Sequence, residues 1–135
     1  MNVLIDTNVL LSAALRDKLP ERVVLYIATR DEWIWLATPY ILDEYVNVLR
    51  RPKFGLSTDV LQRWLELIQA RTVAISPPPV VEYARDPKDA PFLAAAIQYT
   101  ADFLITGDKD LLAAQPLVST QVVTVAEFAT LFQIE

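Results

Sequence analysis

Apolar residues recur along this chain with two periods, and the periods alternate. Short runs at Asn2–Ile5, Trp33–Ala37 and Phe103–Ile105 are apolar almost without break, as expected of strands buried on both faces. Between them, apolar residues return every three or four positions, the spacing of one side of a helix. Val9, Leu10, Ala13 and Ala14 form such a stripe in Asn8–Arg16, and Val23, Val24, Ile27 and Ala28 form one after Pro20, in Glu21–Arg30. Thr38-Pro39 offers a hydroxyl cap and a proline at the first helical position, opening a helix that runs to about Arg51. Ser57-Thr58-Asp59 opens the next, through Ala70, with Val60, Leu61, Trp64, Leu65 and Ile68 as its stripe. Further strands are predicted at Thr72–Ile75 and Gln121–Val125, and further helices at Phe92–Tyr99, Leu111–Ala114 and Ala126–Phe132. The prolines at 77–79 read as a stiff, extended connector. Alternation of this kind implies an α/β fold with a central parallel sheet of four to five strands and helices on both faces.

Composition narrows what such a fold can do. With 135 residues, 53% of them hydrophobic, the chain is expected to form a single domain over residues 1–135 with a substantial core. Charges interrupt every apolar stretch before the roughly 18 residues of a membrane span. The N-terminus enters a strand directly, with no basic region or cleavage-site pattern, so a cytoplasmic protein without a membrane anchor is expected. Cysteine is absent, which removes disulfides, thiolate zinc sites and cysteine nucleophiles. Histidine is absent too, which excludes Ser-His-Asp catalysis, two-histidine ribonuclease chemistry and most zinc enzymes. Acid–base work near neutral pH is left to carboxylates, Lys, Tyr or a water activated by a metal.

Four acids stand where an α/β fold places its site, outside the carboxyl ends of the strands. Asp6 follows the first strand directly, and Asp108 follows Ile105 on a loop that Gly107 is expected to let turn tightly. If the strands are parallel, the two share one edge of the sheet, although either could simply cap the helix after it. Glu44 lies within about 60° of the centre of the face made by Ile41, Tyr45 and Val48, while Asp43 points roughly opposite. A carboxylate beside a core face needs an ion pair or a metal. Pro91 must lie in the first turn of its helix, which puts Asp89 at or next to the N-cap, on the side of Phe92, Leu93 and Ala96. Asp86 is the better placed of the two for the preceding turn. Clustered carboxylates repel, and a divalent cation is the usual remedy.

The net charge of −5 argues mildly against binding nucleic acid through bulk electrostatics. Basic residues do gather locally, at Arg50, Arg51 and Lys53 and at Arg16, Lys18 and Arg22. Each group reads either as a solvated helix end or as a phosphate contact.

In order along the chain, Asp6-Thr7-Asn8 after the first strand, an isolated Glu44, Asp86-Pro87-Lys88-Asp89 before an alanine-rich helix, and Thr106-Gly107-Asp108-Lys109-Asp110-Leu111-Leu112 resemble the pattern of PIN-domain ribonucleases. The likeness covers essentially the whole chain, and its length is similar to that of the small bacterial toxins of toxin–antitoxin pairs (VapC-like). The resemblance implies a PIN-like three-layer fold, a Mg²⁺ or Mn²⁺ site and hydrolysis of RNA phosphodiester bonds. By position, Asp6, Glu44, Asp89 and Asp108 match the family's acidic quartet. Asp6 and Asp108 then stand as direct metal ligands, Asp89 as a ligand directly or through water, and Glu44 as the group orienting the attacking water. Asn8 and Thr106 match polar neighbours, and Asp110 an outer ligand. The alternative within the same likeness is a catalytically inactive module that binds RNA or protein.

Other readings fit less well. A dinucleotide-binding turn needs glycines after the first strand, and the chain's two glycines are Gly55 and Gly107. Phosphoaspartate enzymes of the haloacid-dehalogenase type want an acid where Asn8 stands, and receiver domains want paired acids after the first strand. As to partners, Val23, Ile27, Trp64, Leu65 and Ile68 are expected to exceed what the core can cover, leaving surface for a homodimer and for an antitoxin's amphipathic segment.

Overall fold

Val3, Leu4 and Ile5 are all fully buried. Successive strand residues point to opposite faces, so this strand must be covered on both. It is the middle strand of five. In the computed structural model, which describes residues 1–78, 89–113 and 119–135, β1 (Asn2–Ile5) lies between β2 (Ile34–Ala37) and β4 (Phe103–Ile105). β3 (Thr72–Ala74) flanks β2, and β5 (Gln121–Val123) flanks β4. The order is β3-β2-β1-β4-β5, and every pairing is parallel. Ile5 pairs with Ile105, and Ile105 with Val123, so three strands end level at one edge.

Parallel strands need crossovers, and helices supply them. They are α1 (Thr7–Ala14), α2 (Lys18–Ala28), α3 (Pro39–Leu49), α4 (Thr58–Arg71), α5 (Ala90–Gln98), α6 (Lys109–Ala113) and α7 (Val125–Leu131), with a short turn of tighter helix at Pro52–Phe54. α1 packs on α2 and α3, and α2 packs on α7. This is the three-layer arrangement that the alternating periods predict. None of the described helices is long and apolar enough to cross a membrane.

The boundaries differ from the apolar pattern where side chains cap a helix. Thr38 and Ser57 cap as expected, accepting from the Ile41 and Val60 amides, each at 3.2 Å. β5 stops at Val123, however, two residues short of the predicted Val125. Thr124 and Glu127 form a reciprocal capping box, at 3.0 and 3.1 Å, that begins α7 at once. α1 ends before Arg16, whose φ of 65° is left-handed. α2 starts at Lys18 rather than after Pro20, because a proline in the first turn costs no hydrogen bond. Pro79, Asp86, Pro87, Lys88 and Ala114 lie outside the described residues.

The two ends of the sheet are built differently. At the amino end, Trp33, Phe103, Phe128 and Phe132 interlock, with ring centroids 4.7 to 5.9 Å apart, and Arg30 lies 3.8 Å over the ring of Tyr26 beside them. This apolar plug leaves the carboxyl end as the place where polar groups collect. The expectation of surplus apolar surface is not met at four of its five residues. Val23, Ile27, Trp64 and Ile68 are buried within the chain, and Leu65 is half-buried. The 3.6-residue stripe marks the inward face of a helix and does not say whether this chain or another covers it.

Tyr45 ties the carboxyl end together. Fully buried on α3, it donates its hydroxyl hydrogen to the Ile5 carbonyl oxygen and accepts from Trp35 Nε1 at 3.3 Å. Tyr45→Phe removes both interactions and strands a buried indole N–H. Such losses cost about 1–3 kcal/mol, so the variant is expected to melt several degrees lower by calorimetry with the secondary structure retained. An unchanged melting point would show that the hydroxyl does not anchor β1.

Candidate metal centre

The last backbone bond of the central strand places the first acid. The Asp6 amide donates to the Ile105 carbonyl at 2.9 Å, and the Asp6 carbonyl accepts from Val9 and Leu10. Asp6 therefore occupies the N-cap position of α1, yet its side chain makes no cap hydrogen bond. The carboxylate turns instead to β4, where Oδ2 accepts from Thr106 Oγ1 at 2.7 Å. Thr106 Oγ1 in turn accepts from the Asp108 amide at 2.9 Å. A single hydroxyl thus couples Asp6 to the backbone of Asp108.

That bond also corrects the expectation for Gly107. Its φ is not left-handed, and a Cβ there would meet nothing within 4 Å. The turn is closed by the Thr106 hydroxyl and does not require glycine. Asp108 does cap: its Oδ1 accepts from the Asp110 and Leu111 amides at 2.7 and 3.3 Å. For this residue, the capping reading holds, and it does not exclude the ligand reading, since a carboxylate has two oxygens.

Asp89 is the N-cap residue of α5, is buried, and makes no side-chain cap hydrogen bond. Oxygens of Asp89, Asp108 and Asp110 all come within 4.8 Å of one another. Asp6 stands outside this trio and is linked to it through Thr106. The candidate outer residue Asp110 therefore lies in the close group, although it is exposed and does not line the cleft.

Asp6, Glu44, Asp89 and Asp108, scattered in sequence, line one cleft of roughly 660 Å³ at the carboxyl edge of the sheet. Glu44 is half-buried with its Oε2 fully buried. Asn8 lines the same cleft and is exposed, while Thr106 acts from behind it, fully buried. Several lining residues were not singled out from the sequence: Tyr40, Asn47 and Phe54, and Asp43, which the helical projection turned away from the core. The signal was available, since 40, 44 and 47 share one face of α3 at helical spacing. Of the basic group, Arg51 and Lys53 line the cleft. Arg50 faces the groove between α3 and α4.

Burial raises the Asp6 pKa above its ordinary value of 3.8, and the nearby Asp108 charge raises it further. The Thr106 hydroxyl and the Thr7 and Asn8 backbone amides act in the opposite direction. Burial also pushes the Tyr45 phenol well above its usual range, with the Asp6 and Glu44 charges adding to the effect, so this hydroxyl keeps its proton. The donors fit a hard divalent cation: they are carboxylate oxygens, partly buried and converging, in a chain without His or Cys. Thr7 Oγ1, on the same cleft, is buried with no hydrogen-bond partner among the described residues.

A family described as PIN domain matches residues 2–110. No curated protein matches the chain. Among solved structures, VapBC2 from Rickettsia felis, crystallised with a DNA fragment from their promoter, aligns with a TM-score of 0.61 and 13% identity. The alignment covers 90% of this chain and 98% of that one. PAE2754 from Pyrobaculum aerophilum aligns with a TM-score of 0.65 and 21% identity, over 98% of this chain and 90% of that one. At such identities the likeness is one of fold.

The raised Asp6 pKa has a definite sign in stability. Between 3.8 and the raised value, the folded chain holds a proton that the unfolded chain has released, so stability falls as pH rises through this window. The penalty is complete above the raised pKa. Asp6→Asn removes the charge and keeps the shape, so in metal-free buffer near neutral pH it is expected to melt higher than wild type, and the two should converge below pH 3.8. Scanning fluorimetry across pH with chelator measures this. A variant that melts lower at neutral pH would mean that Asp6 is satisfied by the protein alone.

Proposed function

The chain belongs to the PIN domain family, and from that premise we propose that it is a metal-dependent endoribonuclease, the toxin of a toxin–antitoxin pair acting in the cytoplasm. The carrying observation is the convergence of Asp6, Glu44, Asp89 and Asp108 on one cleft at the carboxyl edge of the sheet. The likeness of the fold to VapBC2 of Rickettsia felis supports the toxin–antitoxin part. An antitoxin and a second copy of this chain are the proposed protein partners. The groove between α2 and α4, where Leu25, Val60 and Leu67 reach the surface beside Arg16, Glu21 and Arg63, is the proposed seat of the antitoxin.

In this reading Asp89 and Asp108 hold Mg²⁺ or Mn²⁺, Asp6 completes the site directly or through water, and Asp110 supports it from outside. The bound cation supplies charge compensation at the phosphate and eases deprotonation of a water. Thr106 fixes the rotamer of Asp6 through the 2.7 Å bond and holds Asp108 through its amide. Glu44 orients the attacking water and accepts its proton. Tyr45, held protonated, keeps the end of β1 in place behind the acids without touching substrate. Hydrolysis by an oriented water needs no 2′-hydroxyl and no histidine.

RNA cleavage is expected to require Mg²⁺ or Mn²⁺ and to stop in excess chelator. Asp6→Asn and Asp108→Asn should each reduce the rate by at least two orders of magnitude, on the scale of losing a principal transition-state contact. Mn²⁺ should raise the wild-type melting temperature by mass action and shift Asp6→Asn far less. Cleavage that persists in chelator or in both variants would contradict the reading. Metal binding without cleavage of any RNA would favour the inactive binding module.

A further inference from the structure

We propose that Tyr40, Arg51 and Lys53 form a shelf that holds an unpaired RNA strand across the acidic cleft, with Tyr40 stacking on a base and the two cations gripping phosphates. The proposal rests on the ribonuclease reading and extends it to substrate positioning.

Charge makes the cations necessary. Among the described residues, Asp6, Asp43, Glu44, Asp89 and Asp108 line the cleft against two cations, Arg51 and Lys53. A single divalent cation does not bring the fully ionised set to neutrality, so a phosphodiester approaching the acids meets a field that still repels it. Arg51 and Lys53 are the cleft residues that reverse this locally.

Both are held for the task. Arg51 lies just past the Arg50 cap of α3, its amide bonded to the Val48 carbonyl at 3.2 Å. Pro52 fixes the next backbone angle, and the turn closes through Phe54 N to Arg51 O at 3.1 Å and Gly55 N to Pro52 O at 3.0 Å. Gly55 has a left-handed φ of 62°, which a residue with a Cβ adopts only with strain. Phe54 packs on the core, and Lys53 Nζ lies 5.1 Å from the centre of its ring. The cations therefore project from a rigid knuckle, which lowers the ordering cost of a contact.

Tyr40 stands at the opposite end of the same helix. It is 52% exposed, whereas Tyr45, one turn on, is fully buried. A large exposed ring on the wall of a polar cleft is suited to stacking on a base, a contact that any base can make once it is out of a duplex. Glu44 and Asn47 lie between Tyr40 and Arg51 along α3, so a strand spanning the shelf crosses the acids.

The test is binding, read apart from turnover. In a Glu44→Gln background with Mn²⁺, the anisotropy of a short fluorescein-labelled single-stranded RNA reports affinity. Arg51→Gln and Lys53→Gln should each weaken binding by on the order of tenfold. Removing both should flatten the dependence of log affinity on log salt by about 1.4. Tyr40→Ala should also cost on the order of tenfold. Arg50→Gln, which makes the same charge change on the other side of α3, should leave binding unchanged, and unlabelled duplex RNA should compete poorly. Arg50→Gln weakening binding as much as Arg51→Gln would overturn the shelf, because bulk charge would then be responsible. A silent Tyr40→Ala, or duplex RNA competing equally, would overturn it as well. The two readings fail separately. Wild type that binds RNA through these residues without cleaving it removes the ribonuclease and leaves the shelf, and cleavage with silent shelf variants does the reverse.

Discussion

Asp6 follows a strand that is hydrogen-bonded on both sides, and that backbone decides where its side chain begins. Its amide is taken by Ile105 and its carbonyl by α1, which fixes the direction in which the side chain leaves the backbone, and the Thr106 hydroxyl holds its rotamer. It is buried with its pKa raised and with a second carboxylate near enough to raise it further. The protein answers with neutral donors, the Thr106 hydroxyl foremost and the Thr7 and Asn8 amides beside it. A hydroxyl satisfies one oxygen without cancelling the charge. Burying an uncompensated carboxylate costs stability, and a cation offsets that cost.

The groups around Asp6 make sense as consequences of this constraint. Tyr45 holds the Ile5 carbonyl immediately before it, which removes the slack through which the acid could relax. Thr106 carries the same order across to Asp108 through the backbone, so the two acids cannot drift apart. Glu44 then comes from α3, one residue before Tyr45, and the anchor of β1 also sets the wall of the cleft. The aromatic plug at the amino end fixes the other side of the sheet.

Much of this was legible in the sequence because burial writes a period into a chain. All five strands, the Thr38 and Ser57 caps and the collection of acids at the carboxyl edge follow from apolar spacing and from the rules of parallel sheets. Where the reading slipped, a side chain acted over long range or on an unexpected partner. Thr124 and Glu127 end β5 early by capping each other, an interaction that apolar spacing does not register. Thr106, rather than Gly107, closes its loop, because the hydroxyl reaches the Asp108 amide. The stripe at Trp64 and Ile68 suggested surface for a partner, but a stripe does not record which surface covers it. Arg50 and Arg51 are neighbours in sequence and point to different grooves, so only the end of α3 in three dimensions separates them.

The central claim, that these carboxylates are arranged around a cation, is tested most directly by anomalous diffraction from crystals soaked in Mn²⁺. The account predicts one strong peak in the cleft, bonded to Asp89 and Asp108 and adjacent to Asp6, which disappears in Asp108→Asn crystals soaked identically. An empty cleft at saturating Mn²⁺, or a peak confined to exposed acids elsewhere, would contradict it.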